Sequence, residues 1–372
     1  MRLIIERNAL LKALNHVASV VERRNTIPIL SNVLLRADGK SVTLTSTDLD
    51  IEVVETVQAE VSKEGSTTVP AHMFHDIVRK LADGAQVELS LGPDDGRMAL
   101  VSGPAKFALQ VLPPDDFPDM SAGEMSHAFD LKASELKRLI DKTRFAISTE
   151  ETRYYLNGIY LHAAETDGTE RLRAVATDGH RLAQVEADLP KGADGMPGVI
   201  VPRKTVQEVH KLIEDADAII KVELSTSKIR FTVGNVRFTS QLIDGTFPDY
   251  GRVIPENNDK VLSVSNAEFA HAVDLVSTLS SDKSRAVKLK VSNGLVTLSV
   301  NNPDSGSATE ELAADYTSDE LEIGFNARYL LDISSQLGSE KAEFLLSDAG
   351  SPTMVRDLDD ASALYVLMPM RV

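Results

Sequence analysis

Hydrophobic residues recur at helical spacing in six places along this chain, and between those places they alternate with polar ones. Polar starters precede three of the helical patterns: Asn8-Ala9-Leu10-Leu11, Ala133-Ser134-Glu135-Leu136 and Asn266-Ala267-Glu268-Phe269. Asn and Ser suit a helix N-cap because their side chains accept the orphan amide hydrogens of a first turn. The spacing predicts helices over 9–24, 133–146 and 267–279. Three more follow extended stretches: Val69-Pro70 leads into 71–81, Val201-Pro202 into 203–213, and Gly324-Phe325 into 327–337.

The alternating runs predict strands. Ile51, Val53, Glu55, Val57, Ala59 and Val61 share one face of a long strand, with Glu52, Val54, Thr56, Gln58 and Glu60 on the other. Asn293-Gly294 separates two such runs, a strong hairpin signal, and Gly234-Asn235 and Asp95-Gly96 separate others. The whole pattern repeats. Val69-Pro70 and Val201-Pro202 lie 132 residues apart. Phe117-Pro118-Asp119 and Phe247-Pro248-Asp249 lie 130 apart, as do Thr47-Asp48 and Thr177-Asp178. The expectation is an α+β fold of three repeated domains over 1–122, 127–252 and 253–372. Each would pack two helices on a largely antiparallel sheet. Turn-rich linkers are expected at 113–123 and 248–259.

Composition narrows the function. With 372 residues, 42% of them hydrophobic, the chain is long enough for two or three real cores. It has no cysteine, which excludes disulfides, thiolate metal sites and cysteine nucleophiles and makes a reducing cytoplasm the expected home. Leu3-Ile4-Ile5 is cut short by Glu6 and Arg7, unlike a signal peptide, and the longest uncharged apolar stretch, Ala363 to Met370, falls short of the roughly 20 residues that span a bilayer. A soluble protein with no membrane partner is expected.

Chemistry is scarce. No phosphate-binding glycine loop, zinc-peptidase helix or serine-nucleophile elbow occurs. Gly192, Gly195 and Gly198 read as a surface loop, and His72 and His75 as a solvated or capping pair with no third metal ligand. Asp178-Gly179-His180-Arg181 offers an acid and a base, with Ser148 or Thr177 as possible nucleophiles, but Asp and Gly also favour a plain turn, as at Asp48 and Pro303-Asp304. A turn is expected, with no catalytic residue, metal or cofactor. A hydrolase using Asp178 and His180, and a monomeric peptide-binding scaffold, stand as rival readings.

Charge is segregated by element. The formal net charge is −17, which counts against nucleic acid if it is evenly spread. It is not. The six predicted helices sum to a positive charge, so sheets and loops carry more than the whole negative excess. Repeated domains in an arc would gather the helices on one concave side, giving a basic face inside an acidic exterior that holds a polyanion. With no Trp and 5% aromatics, base-stacking platforms are not expected; contacts would be to phosphate and independent of sequence.

Five separated motifs resemble the bacterial DNA polymerase III beta subunits, the sliding-clamp family, over essentially the full length. They are Thr26-Ile27-Pro28-Ile29-Leu30, Arg153-Tyr154-Tyr155-Leu156-Asn157-Gly158, Ala176-Thr177-Asp178-Gly179-His180-Arg181-Leu182, Phe247-Pro248-Asp249-Tyr250 and the terminal Tyr365-Val366-Leu367-Met368-Pro369-Met370-Arg371-Val372. The resemblance implies a head-to-tail homodimer closed into a ring of six domains, with twelve helices lining a hole around double-stranded DNA of any sequence. It implies a non-catalytic processivity factor with several partners: the replicative polymerase alpha subunit, a clamp loader, and other polymerases and repair proteins carrying a clamp-binding linear motif. The location implied is cytoplasmic, at the nucleoid during replication.

Site residues follow from the same resemblance. Arg24, Arg79, Lys137, Arg138, Arg203, Lys204 and Arg252 would face the hole, with Tyr154 near its rim. The subunit contact would pair an edge strand around Phe107 and Leu109 with one from the third domain and bury Leu279, with Arg97 and Lys106 meeting Asp304 and Glu310. Thr278 stands where the family usually has a larger apolar residue. A hydrophobic cleft for the client motif would be built from Arg153, Leu156, Thr177, Gly179, His180, Leu182, Pro248, Val253, Val366, Met368, Pro369 and Arg371. Leu367 and Val372 are conservative departures from the usual tail.

Overall fold

The computed structural model describes residues 1–92, 96–120, 123–280 and 285–371. Asp95, Ala122 and Val372, which figure above, lie outside these residues. Six α-helices occur among the described residues: α1 (Arg7–Val20), α2 (Ala71–Lys80), α3 (Ala133–Asp141), α4 (Arg203–Leu212), α5 (Asn266–Ser277) and α6 (Ala327–Ser334). All strand pairings are antiparallel. None of the helices is long and apolar enough to cross a membrane.

The chain divides into two compact units. The first comprises Met1–Ser134, Pro190–Met196 and Lys204–Leu242. It contains a five-stranded sheet ordered Glu60–Lys63, Arg2–Glu6, Gln86–Leu91, Arg97–Ser102, Ala105–Gln110. Its eight-stranded sheet joins four strands of the second repeat to four of the first, through Val236–Gln241 paired with Ile51–Gln58. The expected long strand is therefore two strands. At Ala59, whose N–H bonds the Lys40 carbonyl, the chain leaves the eight-stranded sheet, and Glu60–Lys63 pairs with Arg2–Glu6 instead. Alternation continued through 59 and 61, so periodicity alone hid the change of sheet. Leu10, Leu14 and Val17 of α1 are fully buried, as are Phe74 and Val78 of α2, each contributing about 2 kcal/mol by leaving water.

Several helix ends differ from expectation. α1 starts at Arg7 and is capped by Glu6, whose carboxylate accepts the Ala9 N–H, so Asn8 lies inside the helix. It ends at Val20, leaving Arg23 and Arg24 in a loop. α5 is capped by Ser265 and not by Asn266. His72 and His75 neither cap nor stand free: their Nε2 atoms meet the Val21 carbonyl and the Asn15 amide oxygen, each at 2.8 Å, tying α2 to α1. Gly192 has φ +96 and lies against the Ala128 carbonyl, where a side chain would collide.

The second unit comprises Glu135–Leu189, Pro197–Arg203 and Ile243–Val372. Its eight-stranded sheet repeats the junction of the first, with Arg181–Asp188 paired to Ala363–Leu367. Its four-stranded sheet contains the expected hairpin at Asn293-Gly294, where Gly294 has φ +76, and ends on Gly306–Ala313. Just past α3, Lys142 reaches into the third repeat. Its ammonium donates to the Gln336 carbonyl at 2.6 Å and to Asp357 at 3.1 Å. The fully buried Asp357 carboxylate also accepts the N–H groups of Gly338, Ser339 and Asp359. Burial alone would raise its pKa, but these donors outweigh burial and hold it at about 2.

Candidate functional site

The groove in the second unit is built on one tight turn. Asp178 Oδ1 accepts the N–H groups of His180 and Arg181 at 2.9 and 3.0 Å, and Thr177 Oγ1 accepts that of Gly179 at 3.1 Å. The turn needs φ +88 at Gly179, which glycine adopts without strain. It also needs the missing side chain: a Cβ there would lie 2.6 Å from Arg153 Nη1. The C-terminal segment closes onto the same turn through Met368 N–H, which donates to the His180 carbonyl at 2.9 Å.

Beneath the turn lies an apolar floor. Leu156, Val175, Leu182, Ile200, Phe247 and Val366 form one buried cluster, flanked by Tyr155, Tyr160, Tyr250 and Ile254. Val253 and Met368 are exposed large hydrophobics, 43% and 37% accessible, and Pro248 and His180 are exposed as well. Of the residues expected in a cleft, the structure brings together Arg153, Leu156, Thr177, Gly179, His180, Leu182, Val366 and Met368. Pro248 and Val253 sit on the segment that follows Phe247. Pro369 is held between two backbone bonds, the second from Met370 N–H to the Gly324 carbonyl, while Arg371 is exposed at the end of the described chain.

Arg181, quoted in the sequence motif but not counted as a cleft residue, is the hub of this region. Its guanidinium donates to Asp332 at 2.5 Å, to Asp178 at 3.1 Å and to the Phe145 carbonyl at 2.6 Å. It also lies over the Tyr329 ring, 4.3 Å from the centroid. A cavity of about 400 Å³ opens beside it, lined by Arg144, Ser148, Glu150, Asp178, His180, Arg203, Arg328, Tyr329 and Asp332 among others. Because the Asp178 carboxylate is committed to the turn and to Arg181, it is an anchor and not an acid–base partner for His180. Among the described residues no three His, Asp or Glu are grouped to hold a metal ion.

The basic candidates differ in how free they are. Arg24 and Arg203 are exposed and make no ion pair among the described residues. Arg79 pairs with Asp76 at 3.3 Å and Arg252 with Asp249 at 2.7 Å, both at the surface, where such pairs are weak and exchangeable. Lys137 lies 3.9 Å from Asp141. Lys204 is held by Asp48 at 2.5 Å. Arg138 is half-buried, and both its Nη atoms are engaged, with Asp360, Ser362 Oγ and the Glu186 carbonyl, which separates it from the others. Tyr154 is 53% exposed, edge-on to Tyr155.

Two of the sheet edges fall where the subunit contact was expected. Ala105–Gln110 ends the five-stranded sheet, with Lys106 and Phe107 exposed and Arg97 exposed on the strand beside it. Leu109, on the same face of this strand as Phe107, is 3% exposed and opposite Met98, so it belongs to the core of its own unit. Gly306–Ala313 ends the four-stranded sheet, with Asp304 exposed just before it and Glu310 on its half-buried face. Leu279 is half-buried past the end of α5, and Leu275, one turn earlier, is 51% exposed. Sequence reasoning passed over Leu275; its position four residues before Leu279 was the available signal.

Models of the DNA polymerase III beta subunit match this chain three times: the N-terminal domain over residues 1–121, the central domain over 130–249 and the C-terminal domain over 251–371. The beta sliding clamp of Caulobacter vibrioides is 54% identical over 372 residues, and that of Escherichia coli 40% over 375, each with all of both chains covered. Among solved structures, a sliding clamp from Bartonella birtlesii bound to griselimycin is 56% identical with a TM-score of 0.97, covering 100% of both chains. One from Pseudomonas aeruginosa, also bound to griselimycin, is 40% identical with a TM-score of 0.95, again over 100% of both.

Proposed function

Since the chain belongs to the DNA polymerase III beta subunit family, the sliding clamps, we propose that it is a processivity factor without catalysis of its own, which encircles duplex DNA and tethers the replicative polymerase. The full-length match to beta sliding clamps carries this reading. The physics agrees with it: a tether that must travel needs retention by topology and only weak, register-independent phosphate contacts. Arg24, Arg79, Lys137, Arg203, Lys204 and Arg252 are the cations proposed to meet phosphate, with Tyr154 at the rim. Arg138 contributes less, its charge being balanced by Asp360.

These two edges support a head-to-tail homodimer in which Ala105–Gln110 of one chain continues the sheet of Gly306–Ala313 of the other. Such a contact is heterologous yet closes after two copies. Phe107 and Leu279, with Leu275 beside it, would be covered, and Arg97 and Lys106 would meet Asp304 and Glu310. Thr278 leaves that contact smaller than a bulkier apolar residue would. The groove over Leu156, Leu182 and Val366, rimmed by Val253 and Met368, is the proposed dock for the linear motifs of the polymerase alpha subunit, the clamp loader and other clients, and for griselimycin. The expected working place is the nucleoid.

Loading onto nicked circular plasmid with a clamp loader tests the tether. The ring reading expects protein that elutes with closed DNA and is lost when the plasmid is linearised; equal retention on both would refute it. Deleting Met368 to Val372 should abolish polymerase stimulation and leave a particle of two chains; loss of that particle would refute the placement of the groove.

A further inference from the structure

A half-buried polar chain lies behind the groove and none of the roles above uses it. Arg173 Nη1 donates to the Tyr250 hydroxyl at 2.8 Å, and that hydroxyl meets His162 Nε2 at 3.0 Å. His162 Nδ1 is 2.9 Å from the Ala163 carbonyl, which fixes its proton there and leaves Nε2 to accept from Tyr250. Glu186 holds the other face of Arg173 at 2.6 Å. The rings are packed as well: Tyr160 stacks between His162 and Phe247, at 4.5 and 4.8 Å.

The first repeat supplies a control inside the same molecule. Its turn at Thr47–Ile51 makes the same bonds: Asp48 Oδ1 accepts the N–H groups of Asp50 and Ile51, Thr47 Oγ1 accepts that of Leu49, and Gln241 N–H donates to the Asp50 carbonyl at 2.8 Å. The scaffold is shared, yet its floor is not apolar. Glu52 stands in the place of Leu182 and pairs across the sheet with Thr239, as Leu182 pairs with Val366. There Met120 occupies the position of Tyr250, and Arg36 and Thr43 those of His162 and Arg173. The polar chain thus accompanies the apolar groove and not the fold.

We infer that Arg173, Tyr250 and His162 are positioning residues for client binding: they pin the segment from Phe247 to Val253 so that Pro248 and Val253 stand as one fixed wall of the groove. The inference rests on the groove reading above. A wall held in place before binding lowers the ordering cost of association, so its loss appears chiefly as faster dissociation. Burial lowers the pKa of His162. Its charged neighbours are Arg173 and Glu186, and protonation would set an N–H against the Tyr250 hydroxyl, so binding should weaken as pH falls below the ordinary histidine range.

The experiment measures griselimycin binding to the full-length protein, with association and dissociation rates, between pH 5 and 7.5. Tyr250→Phe is expected to lose about fivefold in affinity, the order of one net hydrogen bond, mostly through dissociation. The fall in affinity that the wild type shows toward pH 5 should shrink in this variant. Particle mass should stay at two chains. Should Tyr250→Phe not fold, His162→Phe, which keeps the stack, is expected to show the same loss. Unchanged affinity and an unchanged pH profile in the folded variant would overturn the inference. Met368→Ala separates the premises: if it leaves griselimycin binding intact, the groove reading itself has failed, whereas loss with Met368→Ala and none with Tyr250→Phe or His162→Phe refutes only the positioning role.

Discussion

Replacing Asp357 by Asn isolates the energetics of the buried carboxylate in the second unit. The acid is held at about pKa 2 against an ordinary 3.8, a depression of nearly two units. At ~1.4 kcal/mol per unit, ionised Asp357 contributes roughly 2–3 kcal/mol more to the folded state than a solvated carboxylate would. The sign follows from the depression: the contribution is complete above the ordinary carboxylate pKa and fades as pH falls toward 2. Asp357→Asn retains the shape but removes the charge facing Lys142, whose remaining carboxylate is Asp360 at 3.9 Å. Breaking a buried pair this way costs about 3 kcal/mol at neutral pH. Urea midpoints of the wild type and the variant, followed by circular dichroism at pH 7, 5 and 3, should show a wide gap at pH 7 and 5 that has narrowed clearly at pH 3. A gap that stays constant from pH 7 to pH 3, or is under 1 kcal/mol at pH 7, would refute this account of Asp357.

Three further outcomes are expected. Gly179→Ala puts a Cβ against Arg153 at a left-handed backbone position, and should destabilise the protein by about 1–2 kcal/mol in calorimetry while weakening griselimycin binding. Leu49→Gly, at φ +81 in the equivalent turn of the first repeat, should do the reverse and stabilise by about 1 kcal/mol; a lower melting temperature would show that the leucine packs usefully there. Arg181→Lys removes the planar fork that reaches Asp178, Asp332 and the Phe145 carbonyl together, and should cost roughly 2–3 kcal/mol in thermal denaturation, more than the same change at exposed Arg79.

Helical and alternating periodicities were legible because each element buries one face. The α+β class, the six helices and the Asn293-Gly294 hairpin follow from that. What one dimension could not show was where a strand changes partner: Ile51 to Val61 alternates without interruption although the chain crosses between sheets at Ala59. Caps were misread for a related reason, since Asn8 and Asn266 have the right chemistry but Glu6 and Ser265 occupy the capping position. In the groove, the motifs pointed to Leu156, Gly179 and Leu182, which local chemistry explains. The commitment of Arg138 to Asp360, 222 residues away, and the burial of Leu109 beside exposed Phe107 depend on tertiary packing that no spacing encodes.

The two eight-stranded sheets each run straight through a linker, and this matters to anyone building chimaeras from related genes. Crossovers placed at the apparent domain joints would divide Val236–Gln241 from Ile51–Gln58, or Arg181–Asp188 from Ala363–Leu367, and ask strands from different parents to match face to face. An excised third would display raw, adhesive margins. A splice at the exposed hairpin tip of Gly39, ahead of Ile51, leaves both seams with a single parent and is the safer place to cut.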